Sequence, residues 1–364
     1  MDINKTKEIC IKKIKENIFY NILYASPSYS PNYRYYWIRD AALVYRSIIE
    51  EHKRTNLYLS EIMNYIETEF ELQNTETLTG LGEPKFNPDK SAFNEPWGRP
   101  QNDGPALRGL NMIKLYNFFY NKGWYTLCNN VILPIIERDL DYIVRNYNTP
   151  SFDLWEELYG WHFYTRVVQF KFVKEYSNFI NLVYKDYNYN WINNILDDML
   201  MKINHHKSDN GIISSFDTYG NIQKLNDTSV IMALTHIDFD KTILYSIGLS
   251  NFKKIAETIT NDFKQRYKGE TYGMVGRYSN DKYYNGHIWI ICSLSIAQFY
   301  LYIYKTENNI KYKNSSKTII DFVMNINKNM DIAEQYDIDN NEPISAEKLT
   351  WNYSELYFSC KLLE

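Results

Sequence analysis

Residues 40–72, DAALVYRSIIEEHKRTNLYLSEIMNYIETEFEL, set a pattern that most of the chain repeats. Their apolar residues recur at the three- and four-residue spacing of amphipathic helices, which predicts two helices, at 40–52 and 56–72. A turn-rich segment from Gly82 to Pro105 follows them. Helical spacing then resumes, so this segment is a long loop between helices rather than a linker between domains.

The same spacing predicts helices in the rest of the chain. In chain order they cover 5–23, 106–121, 123–146, 161–183, 188–204, 227–235, 240–248, 250–267, 287–305, 316–327 and 348–361. Strand-like alternation is scarce, and 205–225 has an irregular pattern. Many helices with most of the 14 glycines and 10 prolines between them are typical of an all-α fold. An open solenoid and a closed barrel of two helix rings both fit, and the absence of a repeated motif favours the barrel.

Composition narrows the class of protein. The 364 residues are 45% hydrophobic and 23% charged, as in a globular protein with a substantial core. The net charge of -4 is spread evenly, and no basic stripe or arm is present, which argues against binding to nucleic acid. No segment has the ~20 apolar residues that cross a bilayer, so no membrane association is expected. A general bias toward Asn, Lys, Ile and Tyr explains most of the 34 tyrosines, but not the positions of the eight tryptophans.

The expected compartment is the cytoplasm. The N-terminal segment 1–23 is charged and helix-patterned, unlike a secretory leader. The four cysteines are scattered without a Cys-x-x-Cys pair, which argues against structural zinc and fits a reducing environment. Secretion by a route without such a leader stays open. The cysteines are Cys10, Cys128, Cys292 and Cys360.

Two acidic loops are candidates for chemistry. Segment 151–157 places three carboxylates within five residues just before a predicted helix, where acids commonly cap the helix or face its dipole. A catalytic interpretation requires one carboxyl that stays protonated, which the apolar neighbours Leu154 and Trp155 can favour for Glu156. Glu334 lies in a second such loop. Two acids far apart in sequence, each in an aromatic loop, suit glycoside hydrolysis.

Three further loops carry the groups that a neutral, hydroxyl-rich ligand requires. Segments 33–40, 97–104 and 276–289 combine aromatic rings with arginines and carboxylates. Each can equally be a packing loop, and Arg39 with Asp40 can be a structural ion pair. Because sites are usually built from loops on a rigid scaffold, their number favours a binding site.

Short blocks with a specific order of Trp, Gly and Glu run along the chain. They are YWIRD (36–40), GLGEPKF (80–86), WGRPQ (97–101), DGPALR (103–108), DLWEE (153–157), VGRY (275–278), YYNG (283–286), EQYD (334–337) and LTW (349–351). In this order they resemble the catalytic domain of glucoamylases, glycoside hydrolase family 15. The resemblance extends from about Ser26 to Tyr353 and is weak over 170–268.

The resemblance implies an all-α (α/α)6 barrel. It implies one catalytic domain over 1–364, without a starch-binding module. It also implies an inverting, exo-acting enzyme that releases β-glucose from the non-reducing ends of soluble α-glucans. By position, Glu156 matches the general acid and Glu334 the general base, a pair that in inverting enzymes lies roughly 6.5–9.5 Å apart. The only expected partner is the α-glucan, with no metal or cofactor, and the expected state is a monomer.

The resemblance also assigns the pocket. Tyr33 matches a residue that helps to place the attacking water. The other expected substrate-binding residues are Trp37, Arg39, Asp40, Trp97, Arg99, Trp155, Glu157, Arg277, Tyr283, Trp289 and Trp351.

Two departures leave the substrate open. Tyr159 stands where the family often has Asn, and Asn102 stands where it often has Arg. Both positions lie toward the leaving-group side of the pocket that the resemblance implies. A related α-glucosidase for trehalose or dextran therefore stays an alternative, with possible activity on α-1,6 linkages. A non-catalytic regulatory barrel, as in phosphorylase kinase, is the alternative from another class. The presence of both Glu156 and Glu334 argues against it.

Overall fold

The computed structural model describes residues 2–183, 190–326, 329–337, 339–340 and 342–364. The chain divides into two compact units. The first comprises Met1–Tyr35, Asp209–Ile212 and Lys224–Glu364, and the second comprises Tyr36–Ser208 and Ile213–Gln223. The prediction of a single catalytic domain stays a prediction.

Helices make up most of the described chain. They are α1 (Ile3–Glu16), α2 (Ile38–Thr55), α3 (Leu59–Leu72), α4 (Gly104–Tyr120), α5 (Tyr125–Leu127), α6 (Leu133–Asn146), α7 (Phe163–Val183), α8 (Asn190–Asn204), α9 (Ser229–His236), α10 (Lys241–Ile247), α11 (Leu249–Arg266), α12 (Ile290–Glu307), α13 (Ile310–Asn325) and α14 (Thr350–Leu363). A π-helical turn at Cys128–Ile132 joins α5 to α6.

The strands are short. They are β1 (Ile18–Phe19), β2 (Ile22–Leu23), β3 (Tyr36–Trp37), β4 (Lys85–Phe86), β5 (Ser151–Phe152), β6 (Tyr159–His162), β7 (Lys207–Ser208), β8 (Gly211–Phe216), β9 (Ile222–Leu225), β10 (Ile288–Trp289), β11 (Gln335–Asp337) and β12 (Glu342–Ile344).

The N-terminal helix and the segment 205–225 differ from their predictions. The helix predicted over 5–23 ends at Glu16, and β1 and β2 follow as a hairpin. Tyr20 and Asn21 have positive φ angles in that hairpin, a conformation that interrupts a helix. Segment 205–225, predicted to be irregular, contains β7, β8 and β9. The helix positions predicted at 188, 189 and 327 lie outside the described residues.

In the second unit, α4 packs against α2, α6 and α7 and is buried along most of its length. Arg108 on this helix donates to Asp139 of α6 at 2.5 and 2.9 Å and to Glu69 of α3 at 3.1 Å. The Tyr36 hydroxyl donates to the same Glu69 at 2.6 Å. This buried network ties three helices to β3, and removal of one charge would leave its partners uncompensated.

In the first unit, α12 packs against α9, α13 and α14, and α14 packs against α1. Glu355 of α14 is fully buried and accepts hydrogen bonds from Gln298 at 2.7 Å and from the Trp351 indole at 2.9 Å. His236 of α9 lies 3.2 Å from the same carboxylate. Helices α9, α12 and α14 are therefore joined through one carboxylate, which also orients Trp351.

The short antiparallel strands set the register of the loops. Strand β3 pairs Trp37 with Lys85 of β4, and the β5–β6 hairpin pairs Phe152 with Tyr159. In the three-stranded sheet β10–β11–β12, Gln335 pairs with Trp289 on one side and with Ile344 on the other. Strands β3 and β10 each run directly into a helix, so their side chains are placed with little freedom.

Candidate active site

Glu156 lies in the turn of the β5–β6 hairpin. The Asp153 main chain closes the turn through bonds with Glu156 at 2.9 Å and Leu158 at 3.0 Å. The Asp153 carboxylate accepts the N–H groups of Glu157 and Leu158 at 2.8 and 3.0 Å. Glu156 itself has φ 65°, which is costly for a residue with a side chain and is characteristic of functional sites. Asp153 of segment 151–157 thus orders the turn that carries Glu156.

The Glu156 carboxylate accepts four N–H groups from other loops. Its Oε1 accepts the Trp37 indole at 2.8 Å, Gln101 at 2.9 Å and Arg39 at 3.3 Å. Its Oε2 accepts the Trp97 indole at 2.9 Å. Gly98 allows this close approach, because a Cβ there would come within 3.0 Å of the Glu156 carbonyl oxygen.

Leu154 and Trp155, the expected apolar neighbours, are buried. The Glu156 carboxylate accepts hydrogen bonds from the indoles of Trp37 and Trp97 and from the side chains of Gln101 and Arg39. The carboxylate is therefore held mainly by directional donors and not by burial alone.

Arg39 connects Glu156 to two aspartates. Its Nη1 donates to Gln101 at 2.8 Å and to Asp103 at 3.0 Å, and its Nε lies 3.8 Å from Asp40. Burial raises the pKa of Asp40 to about 7, Arg39 opposes that shift, and the negative charges of Glu156 and Asp103 add to it. We call Trp37, Arg39, Asp40, Trp97, Gln101, Asp103 and Glu156 the Glu156 cluster.

Lys85 lies beneath the aromatic residues of this cluster. Its ammonium nitrogen is 3.1 Å from the ring centroid of Trp97, 4.6 Å from that of Trp37 and 4.0 Å from that of Phe93. Burial lowers its pKa to about 8, and the charge of Glu156 partly offsets this. A cation against a ring face stabilises the ring's position. Trp97 keeps 39% of its surface exposed, so its ring remains available to a ligand.

Glu334 lies directly before β11 in the first unit, and main-chain hydrogen bonds fix it. Its N–H donates to Ala346 at 2.8 Å, and its carbonyl accepts from Ile290 at 3.2 Å. The Ser345 hydroxyl donates to its carboxylate. Burial raises the pKa of Glu334 to about 7, although the hydrogen bonds of Ser345 and Tyr33 and the charge of Arg277 lower it.

Hydroxyl groups surround this second carboxylate. The hydroxyls of Tyr33 and Tyr283 are 2.8 Å apart, and Ser345 lies 3.4 Å from Tyr283. Arg277 is buried, donates to Asp281 at 2.5 and 2.7 Å, and lies 4.9 Å from the ring centroid of Trp289. We call Tyr33, Arg277, Tyr283, Trp289, Glu334 and Ser345 the Glu334 cluster.

The remaining predicted residues lie beside these clusters or in supporting positions. Arg99 donates to Glu83 at 2.9 Å and to the Phe93 carbonyl at 3.0 Å, and so holds the loop before Trp97. Glu157 is exposed next to Glu156, and Trp351 is buried against Glu355.

The two residues that depart from the family pattern, Asn102 and Tyr159, also differ in their surroundings. Asn102 is buried and accepts the Tyr142 hydroxyl at 2.7 Å. Tyr159 is 41% exposed and packs on Phe152 with ring centroids 5.3 Å apart. In this structure Asn102 is thus a packing residue, while the ring of Tyr159 is accessible.

Three residues of the clusters, and Lys85 beneath the Glu156 cluster, were not singled out from sequence. Gln101, Asp103 and Lys85 lie inside the short blocks that carry the family resemblance, where a polar residue next to a tryptophan or a tight turn was the available signal. Ser345 lies in no block. Only the β11–β12 register, which pairs Gln335 with Ile344, brings it beside Glu334.

Comparisons with known proteins show the family of the chain. The family model "Glycosyl hydrolases family 15" matches residues 12–357. A glucoamylase of Neurospora crassa is 30% identical over 92% of this chain and 62% of its own length. The intracellular, sporulation-specific glucoamylase of Saccharomyces cerevisiae is 34% identical over 48% of this chain and 37% of its own. The solved glucoamylase of Saccharomycopsis fibuligera has a TM-score of 0.86 at 23% identity, covering 99% of this chain and 94% of that chain.

The structural likeness confirms the predicted fold class, the all-α (α/α)6 barrel of the glucoamylases. The chain spans between 50% and 63% of the length of three curated glucoamylases that it matches. Among the described residues, the helices are too short or too polar to cross a membrane.

Proposed function

Because the chain belongs to the glycosyl hydrolases of family 15, we propose that it removes glucose from non-reducing ends of soluble α-1,4-linked glucans, such as maltooligosaccharides and glycogen. The α-1,6 linkage is a further expected substrate. The reaction is an inverting single displacement, in which one carboxyl protonates the leaving oxygen and the other deprotonates water. The product is β-glucose.

The observation that carries this proposal is the setting of Glu334. A buried carboxyl lies among the hydroxyls of Tyr33, Tyr283 and Ser345, which are hydrogen-bonded to one another or to it. Such hydroxyls can hold a water molecule in one orientation, as a general base requires. Glu334 is therefore the proposed base.

Glu156 is the proposed acid. Among the described residues, Trp97 donates to the Oε2 of Glu156, and the second lone pair of this oxygen can carry a proton. Asp40 and Glu156 both lie beside the Arg39 guanidinium, and the negative charge of Glu156 is one of the causes that raise the pKa of Asp40. Burial raises that pKa to about 7, so this neighbour of Glu156 carries a proton in part of the molecules at neutral pH.

The Glu156 cluster also offers groups for the sugar hydroxyls. Arg39 Nε and Asp103 Oδ1 are buried and have no hydrogen-bond partner among the described residues. A buried donor and a buried acceptor without partners each cost stability, which a bound hydroxyl group would restore. Arg39 and Asp103, with Asp40, are therefore proposed to hold the terminal glucose.

The test is the anomer of the first product. Purified protein is mixed with maltotriose, and early proton NMR spectra should show β-glucose before mutarotation. Early α-glucose would overturn inversion. Glucose release from maltose, isomaltose, trehalose and glycogen then ranks the substrates, and release from trehalose alone would replace the proposed substrate.

Two variants distinguish a catalytic protein from a non-catalytic regulatory barrel. Glu334→Gln should abolish glucose release, whereas Glu342→Gln, at an exposed acid of the adjacent strand β12, should not. Equal behaviour of Glu334→Gln and the unaltered protein would contradict catalysis at this site.

The proposed location is the cytoplasm, and the monomeric state stays a prediction. The four cysteines are free and buried, which is compatible with a reducing compartment. The intracellular relative from Saccharomyces cerevisiae supports the same location.

A further inference from the structure

A cleft of about 660 Å³ opens in the first unit, and none of the residues of the Glu334 cluster lines it. Its volume falls in the range of ligand sites, about 300–1,000 Å³. Helices α11, α12 and α13 and the loop Glu270–Gly273 form its walls.

The cleft is built from regular helix faces. On α11, Glu257, Thr260 or Asn261, and Lys264 follow the i, i+3/i+4, i+7 spacing of one face. On α13, Lys311, Ser315 and Thr318 do the same. Seven residues of a helix extend about 10 Å, so the walls form a groove rather than a point contact.

Two tyrosines line this groove. Tyr300 of α12 is buried, and its hydroxyl lies 3.3 Å from that of Thr260. Tyr272 lies on the loop and is 44% exposed, with its ring stacked on Phe322 at 5.1 Å and 26°. It has φ 54°, a strained conformation for a tyrosine, and Gly273 follows at φ 77°. The loop therefore holds an exposed ring in a fixed orientation, with one face already packed.

The charges of the cleft select the class of ligand. Two lysines and two glutamates balance one another, so the cleft attracts neither an anion nor a cation. Hydroxyl and amide groups beside an exposed ring suit a neutral ligand with an apolar face and many hydroxyls. A pyranose has both properties.

We propose that this cleft is a second binding site for α-glucan, apart from the Glu334 cluster, with Tyr272 as its stacking platform. The choice of an α-glucan as the sugar rests on the proposed function. The main chain runs from Tyr272 directly to Arg277 of the Glu334 cluster, so the two sites share one loop. A second site of this kind would raise the local concentration of a branched substrate at the enzyme.

The test uses β-cyclodextrin, a closed ring of α-1,4-linked glucose. It has no non-reducing end, so an exo-acting site cannot process it. Titration calorimetry should detect its binding to the unaltered protein, and Tyr272→Ala should weaken that binding by about tenfold or more, as expected for loss of an aromatic anchor. The matched control is Tyr245→Ala, at a tyrosine of the same unit that is 92% exposed and does not line the cleft.

A second variant tests the cleft independently, in case Tyr272→Ala impairs folding. Ser315→Lys should block the groove without touching Tyr272, and it should also lose β-cyclodextrin binding. Both variants should release glucose from maltotriose at the unaltered rate and from glycogen more slowly.

Failure of this inference is distinguishable from failure of the proposed function. Absence of β-cyclodextrin binding, or equal binding by Tyr272→Ala and Tyr245→Ala, would overturn the second site while maltotriose hydrolysis persists. Tyr272-dependent binding in a protein that hydrolyses no glucoside would support the second site and contradict the enzyme.

Discussion

The surroundings of Glu156 and Glu334 differ in the number of donors that reach the carboxylate and in how deeply the carboxylate is buried. Glu156 accepts four N–H groups, from two indoles, an amide and a guanidinium, at 2.8–3.3 Å. Glu334 is 3% exposed, and burial raises its pKa to about 7. The difference teaches that hydrogen-bond donors hold the proposed acid in place, while desolvation controls the charge of the proposed base.

The two glutamates are also positioned by different means. Glu156 depends on side chains of two segments, 37–39 and 97–101, and on a strained turn with φ 65°. Glu334 is fixed through its own N–H and carbonyl groups, which bond to Ala346 and Ile290. Substitutions of the neighbouring side chains should therefore disturb the position of Glu156 more than that of Glu334.

The largest expected effect separates the two roles. Glu156→Gln and Glu334→Gln should each lower kcat on maltose by about 10²–10⁴-fold, the usual contribution of general acid–base groups. With α-glucosyl fluoride the leaving group needs little protonation, so Glu156→Gln should recover most of its rate and Glu334→Gln should not. Fluoride release measures both. Recovery in Glu334→Gln alone would exchange the assigned roles.

The next effect concerns stability. Because the folded pKa of Glu334 is about 7, above its ordinary 4.5, folding penalises the ionised form. This free-energy penalty on folding is absent at a pH below the ordinary pKa of a glutamate. It grows as the pH rises through the pKa that Glu334 has in the folded protein. Glu334→Gln should thus raise the free energy of unfolding by up to about 3 kcal/mol at pH 8 and little at pH 4.

Glu156→Gln should act in the opposite direction, because an amide offers its four N–H donors one acceptor oxygen in place of two. A loss of about 1–3 kcal/mol at pH 8 is expected. Urea unfolding at the two pH values measures both variants. Equal changes in the free energy of unfolding of the two variants would contradict the proposed difference between the surroundings of Glu156 and Glu334.

The smallest effect is a shift in pH dependence. The general base must be ionised, so kcat/KM should rise as pH increases through about 7, the pKa of Glu334 in the free protein. The Ser345 hydroxyl lowers that pKa, and Ser345→Ala should therefore move the acidic limb of the profile to higher pH. Ser279→Ala is the control, since that exposed serine bonds to Asp262. A shift to lower pH would contradict the assignment of Glu334 as base.

Local patterns in the sequence predicted most helices, because the spacing of apolar residues along a helix is a property of neighbouring positions. The helices at 40–52 and 56–72 are present as α2 and α3. The same reasoning was wrong for the end of the helix at 5–23, where the turn at Tyr20 and Asn21 competes with helical continuation. The block order also predicted the family, which the match over residues 12–357 confirms.

Contacts between distant residues could not be deduced in that way. The register of β11 and β12 brings Ser345 to Glu334, and the approach of segments 37–39 and 97–101 supplies the donors of Glu156. The raised pKa values of Asp40 and Glu334 come from burial, which depends on everything packed around them. The identity of the carboxylates is thus encoded in local motifs. Their charge, their orientation and the cleft beside Tyr272 result from packing, because desolvation and hydrogen-bond geometry exist only once remote segments are in contact.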